Sequence, residues 1–335
     1  MDTLPLISGE GKKAIRTGVT AILPQGKKFN GRLFAAWHTL NGNGEMTGTT
    51  WLEESGMLNS PIMITGTYSV GAVKDAVLQW AIENTPDGGS GDPSLAVVAE
   101  TYDGFLHNAR DFSVKKEHVY QALNGAKDGP IAEGNVGGGT GMVAFDFKGG
   151  TGTASRVLDK KFGGYTVGIL VQANYGARRL FRVAGVPVGK EITDLASFEG
   201  KGDQDSGSII VVIATDAPLL PHQLKRLVKR ASLGIAAPGG FGGNTSGDIF
   251  IAFSTANATE ASNDKEVTAV QMLPIEKINP LFEATVQATE EAVINALVAA
   301  ETMKGVNGNT VFALPHDRLK AVLKKYNRLN DPIKQ

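Results

Sequence analysis

The stretch Gly239–Asn257 reads GGFGGNTSGDIFIAFSTAN, and its two halves obey different rules. Gly239, Gly240, Gly242 and Gly243 give the first half the backbone freedom of a loose loop. From Ile249 onward, Ile249, Ile251 and Phe253 alternate with Phe250, Ala252 and Ser254, a pattern that fits a buried strand. Between the halves stand Asn244, Thr245 and Ser246. A small hydroxyl residue that follows a loose loop and opens a core strand occupies the position of a self-cleaving N-terminal nucleophile. The loop offers a bond to cut, and the strand holds the hydroxyl rigidly.

A free N-terminal serine carries its own base, because an α-amine with a pKa of about 8 can take the hydroxyl proton directly. Such an enzyme needs no catalytic histidine. It needs oxyanion donors, which backbone N–H groups or an asparagine amide can supply. The rest of the sequence offers no competing set. His38, His107, His118, His222 and His316 are scattered, with no HxH or HxxxH pair, and read as surface or capping residues rather than metal ligands. No G-x-S-x-G elbow occurs, and the absence of cysteine excludes thiolate chemistry. The glycine run Gly134–Gly141 (GNVGGGTG) lacks the lysine of a phosphate-binding loop. It reads as a tight turn, or as a backbone-lined wall beside a substrate.

Composition narrows the function classes further. A formal net charge of −1 over 335 residues gives no electrostatic case for nucleic acid or for an anionic membrane. No apolar run reaches the length of a membrane-spanning helix. The start, Met1-Asp2-Thr3-Leu4-Pro5, lacks the form of a secretory signal, so the sequence as given reads as cytoplasmic, or periplasmic if a further N-terminal segment precedes it. Hydrophobic residues make up 42%, enough for a large core, and no cofactor is implied.

Strands are expected at Thr17–Leu23, Gly31–Leu40, Pro61–Thr67, Leu95–Glu100, Met142–Phe147, Tyr165–Asn174 and Ser208–Thr215, the last in a central place because it is the most apolar β-branched run. Apolar spacing predicts helices over Val70–Asn84, Ser113–Leu123, Pro221–Leu233, Phe282–Met303 and His316–Tyr326. Asn41-Gly42-Asn43-Gly44 is a turn signal, Pro86–Pro93 a polar loop and Ala258–Val267 a polar connection. Helices come in groups rather than in strict alternation with strands. The fold class is therefore α+β, with mainly antiparallel sheet and helices on the outer faces.

Several segments together resemble one family, the P1 family of L-aminopeptidase/D-esterase and β-peptidyl aminopeptidases. They are Thr17–Pro24 (TGVTAILP), Asn41–Gly48, Ser69-Val70-Gly71, Glu133–Met142, Val171–Gly176 (VQANYG), Ala214–Leu227 (ATDAPLLPHQLKRL), Ser246–Ile249 with Ala252–Thr255, and Ala288–Ala292 (ATEEA). The resemblance spans nearly the whole chain. It implies a single four-layer αββα sandwich over residues 1–335, similar to N-terminal-nucleophile hydrolases but differently connected. It further implies self-cleavage between Thr245 and Ser246 into an α chain 1–245 and a β chain 246–335, and assembly of the pairs into a homo-oligomer. The expected activity is release of an N-terminal residue, in one branch a β-amino acid, from short peptides, amides or esters.

The same resemblance implies roles for particular residues. Ser246 is the nucleophile. Thr289 and Glu291 steady it and its amine, with Glu290 competing for the second role because i and i+2 do not share a helical face. Glu133 pairs with the substrate ammonium, and Asn174 is the oxyanion donor. Phe145 stands in the substrate site where some relatives carry tyrosine, whose hydroxyl phenylalanine lacks. Relatives also begin with an extra strand-forming segment, so the expectation is either that the sequence as given is a truncated reading or that the sheet lacks an edge strand. Two other readings stay open: an amidase acting on a non-peptide amide or lactam oligomer, and an uncleaved, non-catalytic binding protein.

Overall fold

The computed structural model describes residues 1–27, 31–84, 95–197, 207–260 and 266–329. The first strand, β1 (Asp2–Ser8), pairs antiparallel with β2 (Ile15–Ile22), so the first residues supply the edge strand that the sequence reading left missing. The long β3 (Gly31–Gly42) leads to α1 (Thr49–Ser55), for which no element is expected from sequence. Then come β4 (Met57–Leu58), β5 (Ile62–Gly66), α2 (Val70–Asn84), β6 (Val97–Thr101) and α3 (Lys116–Gly125). The expected loop over Pro86–Pro93 lies outside the described residues.

The expected strand Met142–Phe147 is instead a minimal hairpin, β7 (Val143–Ala144) and β8 (Phe147–Lys148). Its two turn residues, Phe145 and Asp146, both have positive φ, 51° and 59°. Non-glycine residues resist that conformation at a cost of about 1–2 kcal/mol each. Buried Arg178 offsets it: its guanidinium donates to the carbonyls of Phe145 and Asp146 and lies 3.3 Å from the ring centroid of Phe147. The Phe145 ring is fully buried, stacked on Phe181 and tilted against Tyr175. Phe145 is thus a core residue of the hairpin, which corrects its expected place in the substrate site.

Next follow β9 (Gly150–Val157), β10 (Thr166–Asn174), α4 (Val188–Glu191) and β11 (Ser208–Thr215). The expected helix Pro221–Leu233 is two, α5 (Pro221–Val228) and α6 (Ala231–Ala236). The break leaves Leu233 exposed and turns Ala231, Gly234 and Ile235 inward. β12 (Gly247–Glu260) extends the strand of the opening stretch, and residues 261–265 of the expected polar connection lie outside the described residues. The long helix α7 (Asn279–Val298) ends before Met303. There the Asn135 side chain takes both backbone groups of Glu301, donating to its carbonyl at 2.8 Å and accepting from its N–H at 3.2 Å, bonds that a continued helix would use internally. The short pair β13 (Met303–Lys304) and β14 (Thr310–Val311) and the helix α8 (His316–Lys325) complete the chain.

The strands form a four-stranded sheet in the order β1-β2-β5-β6 and a six-stranded sheet in the order β4-β3-β12-β11-β10-β9. Only β5–β6 and β11–β12 pair in parallel within them. Three apolar clusters stack these parts into layers. Val73, Val77, Trp80 and Val119 of α2 and α3 pack on Val19, Met63 and Val98 of the small sheet. Its other face, with Ile62, Ile64, Val97 and Ala99, meets Ile210, Val212, Ile249, Ile251 and Phe253 of the large sheet. On the far side Ile209, Val211, Phe250 and Ala252 face Leu224, Leu227, Ala288, Ala292 and Val293 of α5 and α7. Residues of opposite parity along β11 and β12 thus enter different cores, which is why both strands are apolar throughout. The result is the αββα sandwich.

The glycine run belongs to this interior. Gly137–Gly141 is a buried 3-10 turn between the sheets. A Cβ at Gly138 would stand 2.1 Å from Gln172 Oε1. It is a close-approach element, which favours the turn reading over a binding wall. Beside it Lys148 is fully buried, its Nζ donating to the Gly149 carbonyl at 2.8 Å and to that of Gly139 at 3.4 Å. Burial draws its pKa from 10.5 to about 7. Between those values the unfolded chain holds a proton that the folded chain has released, so stability gains from this group as pH rises from about 7 towards 10.5 and loses it on the way down. Thermal melts at pH 7 and 9.5 should show a higher melting temperature at the alkaline value, and Lys148→Met should flatten that difference.

α7 lies close on β9, where a Cβ at Gly152 would come within 2.0 Å of the Ala292 carbonyl oxygen. Gly152→Ala should therefore destabilise the fold by ~1–3 kcal/mol in a denaturant titration.

Candidate active site

Ser246 sits where the loop after α6 enters β12 and is 1% exposed. Its N–H donates to the Gly243 carbonyl at 2.9 Å, closing a β-turn with Asn244 and Thr245 in the middle. The Thr245–Ser246 peptide bond is therefore the exit of a hydrogen-bonded turn. Two asparagines of the β3 end grip this turn. Asn41 Nδ2 donates to the Gly243 carbonyl, and Asn43 Nδ2 donates to the Thr245 carbonyl at 2.7 Å. The Asn43 N–H also donates to the Ser246 carbonyl at 3.2 Å.

This grip follows from strand geometry. Asn41 stands at the end of β3 and Asn43 in the bend just after it, so both lie against the loop that enters β12. The β3–β12 register shifts between Asp248 and Ile249, where Asp248 pairs with Asn41 but Ile249 pairs with Thr39, leaving Leu40 as an extra residue. Such a bulge re-aims the side chains that follow it. Of the segment that reads as a turn signal, Asn41 and Gly42 end β3, and Asn43 and Gly44 make the bend that follows against the loop.

Ser246 Oγ donates to Asp248 Oδ1 at 2.6 Å, and Asp248 is also 1% exposed. The spacing of two again puts both on one side of β12. The Ser208 hydroxyl accepts the Gly247 N–H at 3.2 Å and ties the mouth of β12 to β11. On the small sheet, Glu100 is 3% exposed, accepts the Glu45 N–H at 2.9 Å through Oε1 and the Thr67 hydroxyl through Oε2. Burial raises its pKa, while those two donors pull it down. Gly44 separates it from the nucleophile strand: a Cβ there would lie 3.2 Å from Gly247 Cα and 3.3 Å from Glu100 Oε1. A buried carboxylate thus lies across Gly44 from Gly247, the first residue of β12. Asn41, Asn43, Asp248 and Glu100 were not singled out as site residues from sequence: Asp248 is two residues along the chain from Ser246, and only the pairing and stacking of the sheets bring the other three there.

The expected site residues fare differently. Asn174 pairs with Ser208, which pairs with Gly247, so it shares the Ser246 end of the sheet, about 10 Å from Gly247 across two strand spacings. Its amide is occupied on both sides, accepting from the Val143 N–H at 2.8 Å and donating to the Tyr102 carbonyl at 3.1 Å. Thr289 is buried against Gly234 of α6 and donates its hydroxyl to the Thr285 carbonyl of its own helix at 2.7 Å. Glu291 is on the surface, paired at 2.5 Å with Arg156. Through Val167 and Thr215, Arg156 lines up with Ser254, so Glu291 belongs to the far edge and far end of the sheet from Ser246. Glu133 accepts the N–H and hydroxyl of Thr153 at 2.6 and 2.7 Å, four residues along β9 from the Gly247 row and three strands away. The chain does not bring Glu133 or Glu291 to Ser246. His107, expected at the surface, is buried and accepts the Arg16 N–H at 3.2 Å through Nδ1, and burial takes its pKa down to about 4.

An α+β sandwich of two stacked sheets between helices has the layered architecture of the N-terminal-nucleophile hydrolase fold, and here a buried serine stands where a loop enters a core strand. Comparison with known proteins agrees. The chain matches the Peptidase family S58 profile over residues 3–311. It is 54% identical to the β-peptidyl aminopeptidase BapA of Sphingosinicella microcystinivorans over 97% of this chain and 85% of that one. The L-aminopeptidase D-Ala-esterase/amidase of Ochrobactrum anthropi, described as a prototype serine aminopeptidase and a new variant of the Ntn hydrolase fold, superposes with a TM-score of 0.90 at 45% identity, covering 98% of this chain and 92% of that one. A β-aminopeptidase of a Burkholderia species superposes at 0.87, with 45% identity, 97% of this chain and 90% of that one. The chain belongs to peptidase family S58, and it is a hydrolase of the aminopeptidase type.

Proposed function

We propose that the chain cleaves itself between Thr245 and Ser246, and that the freed Ser246 then removes N-terminal residues, β-amino acids among them, from short peptides and amides. The observation that carries this reading is the buried Ser246 hydroxyl at the exit of a turn whose last peptide bond is gripped by Asn43. Once that bond is cut, the Ser246 amine serves as the base, Oγ attacks the substrate carbonyl, and an acyl-enzyme forms that water releases. The names of the relatives, which act on β-peptides, support the choice of substrate class.

An aminopeptidase must register the free amine of its substrate. Glu100 is the carboxylate beside the strand that Ser246 opens, whereas Glu133 is held at Thr153 on β9, three strands away. We therefore assign the substrate ammonium to Glu100. Assembly of cleaved pairs into a homo-oligomer belongs to the same proposal. The intact mass of the purified protein tests its centre: two polypeptides meeting at Thr245/Ser246 are expected, and an active protein consisting of one uncut chain would overturn it.

A further inference from the structure

The mature mechanism leaves a gap in the precursor. Its base is the Ser246 amine, and that amine does not exist until the bond is cut. While the bond is whole, the Ser246 nitrogen is an amide, its N–H donated to Gly243, and an amide nitrogen has no basicity to offer. Something else must take the hydroxyl proton during self-cleavage. Something must also stabilise the oxyanion that forms on Thr245 as Oγ attacks its carbonyl carbon.

Both requirements are met around the uncut bond. The Ser246 hydroxyl donates to the Asp248 carboxylate at 2.6 Å, and both residues are 1% exposed. Water does not dilute that contact, so the bond is short, charge-assisted and aimed. The Thr245 carbonyl oxygen accepts from Asn43 Nδ2 at 2.7 Å, within the range of a working oxyanion donor. Asn43 is held by its own backbone, whose N–H donates to the Ser246 carbonyl at 3.2 Å, so the amide is fixed against both residues of the bond. Resting on the self-cleavage reading above, we propose that the precursor carries a separate cleavage apparatus, in which the Asp248 carboxylate is the base for Ser246 Oγ and the Asn43 amide is the oxyanion donor for Thr245.

The step balances without any outside reagent other than water. The Ser246 Oγ proton passes to Asp248, and Oγ bonds to the Thr245 carbonyl carbon through a five-membered ring. The negative charge on the carbonyl oxygen is held by Asn43 Nδ2–H. On collapse the C–N bond breaks, and the Asp248 proton goes to the leaving nitrogen, which becomes the Ser246 amine. The product is an ester between Thr245 and Ser246 Oγ, and water then opens it to a Thr245 carboxylate and a free Ser246 hydroxyl. Asp248 ends as it began, and the base for turnover has been made by the same event.

The test follows full-length chain against time after cell-free synthesis, on denaturing gels with mass assignment of the products. Asn43→Ala should lengthen the half-time of self-cleavage about a hundredfold or more, the scale of a lost oxyanion donor, and Asp248→Asn by a similar factor as a lost general base. Each change is also placed on a Ser246→Ala chain, and the melts of these uncleaved proteins report folding separately from cutting. Should either variant fail to fold, Asn43→Asp and Asp248→Glu take its place. The first is isosteric but turns a carboxylate towards the carbonyl and must cut slowly. The second keeps a carboxylate and must cut faster than Asp248→Asn. Folded Asn43 and Asp248 variants that cut at the unmodified rate would overturn this inference while leaving self-cleavage standing. An unmodified chain that stays whole, or cuts elsewhere, would instead overturn the reading on which it rests.

Discussion

Ser246→Ala is expected to leave all 335 residues in one chain and to abolish aminopeptidase activity. The substitution removes only the hydroxyl oxygen from a buried position, so the fold should survive; the lost contact is the 2.6 Å bond to Asp248. Both consequences come from one atom. Without Oγ there is no attack on Thr245, hence no cut and no freed amine. Without Oγ there is also no acyl-enzyme on any substrate. Loss of a nucleophile in an enzyme of this kind typically costs on the order of a millionfold in kcat. A gel and a peptide-release assay on the same sample read both effects. Ser246→Ala protein that is cut at the same bond, or that retains peptidase activity, is incompatible with the assignment.

The second large effect is expected at Glu100. Replacing it by glutamine keeps its size and one acceptor but removes the charge opposite the substrate ammonium. Removing one partner of a buried charge pair typically costs ~2–5 kcal/mol, so kcat/KM for substrates with a free amine should fall by roughly thirtyfold to several thousandfold. Substrates with an acetylated amine carry no charge to lose, and Glu100→Gln should barely change their already slow cleavage. Equal losses on both substrates would point to a folding role and remove Glu100 from recognition. Glu133→Gln is the contrasting variant: it weakens the contacts to Thr153 and should leave the preference for free amines intact. The pH dependence has a defined sign. Burial raises the Glu100 pKa, so protonation removes its charge at a higher pH than for an ordinary carboxylate, and activity on free-amine substrates should fall early on acidification.

Much of the scaffold was legible because it rests on local signals. The β-branched run Ser208–Thr215 is β11 and the helical spacing of Val70–Asn84 is α2, each with the bounds read from sequence. The errors fall where tertiary contacts override the local pattern. Met142–Phe147 alternates like a strand, yet Arg178, distant in sequence, holds Phe145 and Asp146 in a left-handed turn. Pro221–Leu233 has one apolar pattern, yet it breaks so that Gly234 can meet Thr289.

The sequence by itself determined the fold class and the family, and it pointed to the serine. A glycine loop, a lone hydroxyl and a core strand are contiguous, and their meaning survives without any knowledge of what packs around them. Only the tertiary structure decided the serine's company. Asn41 and Asn43 reach it because β3 pairs with β12 across some two hundred residues and bulges at Leu40; Glu100 reaches it because the small sheet stacks on the large one. Glu291 and Glu133 look equally suited in one dimension, but sheet order carries them to Arg156 and Thr153. A carboxylate acts over a few ångströms, and which carboxylate lies that close is set by strand order and register, information that no local stretch of the chain contains.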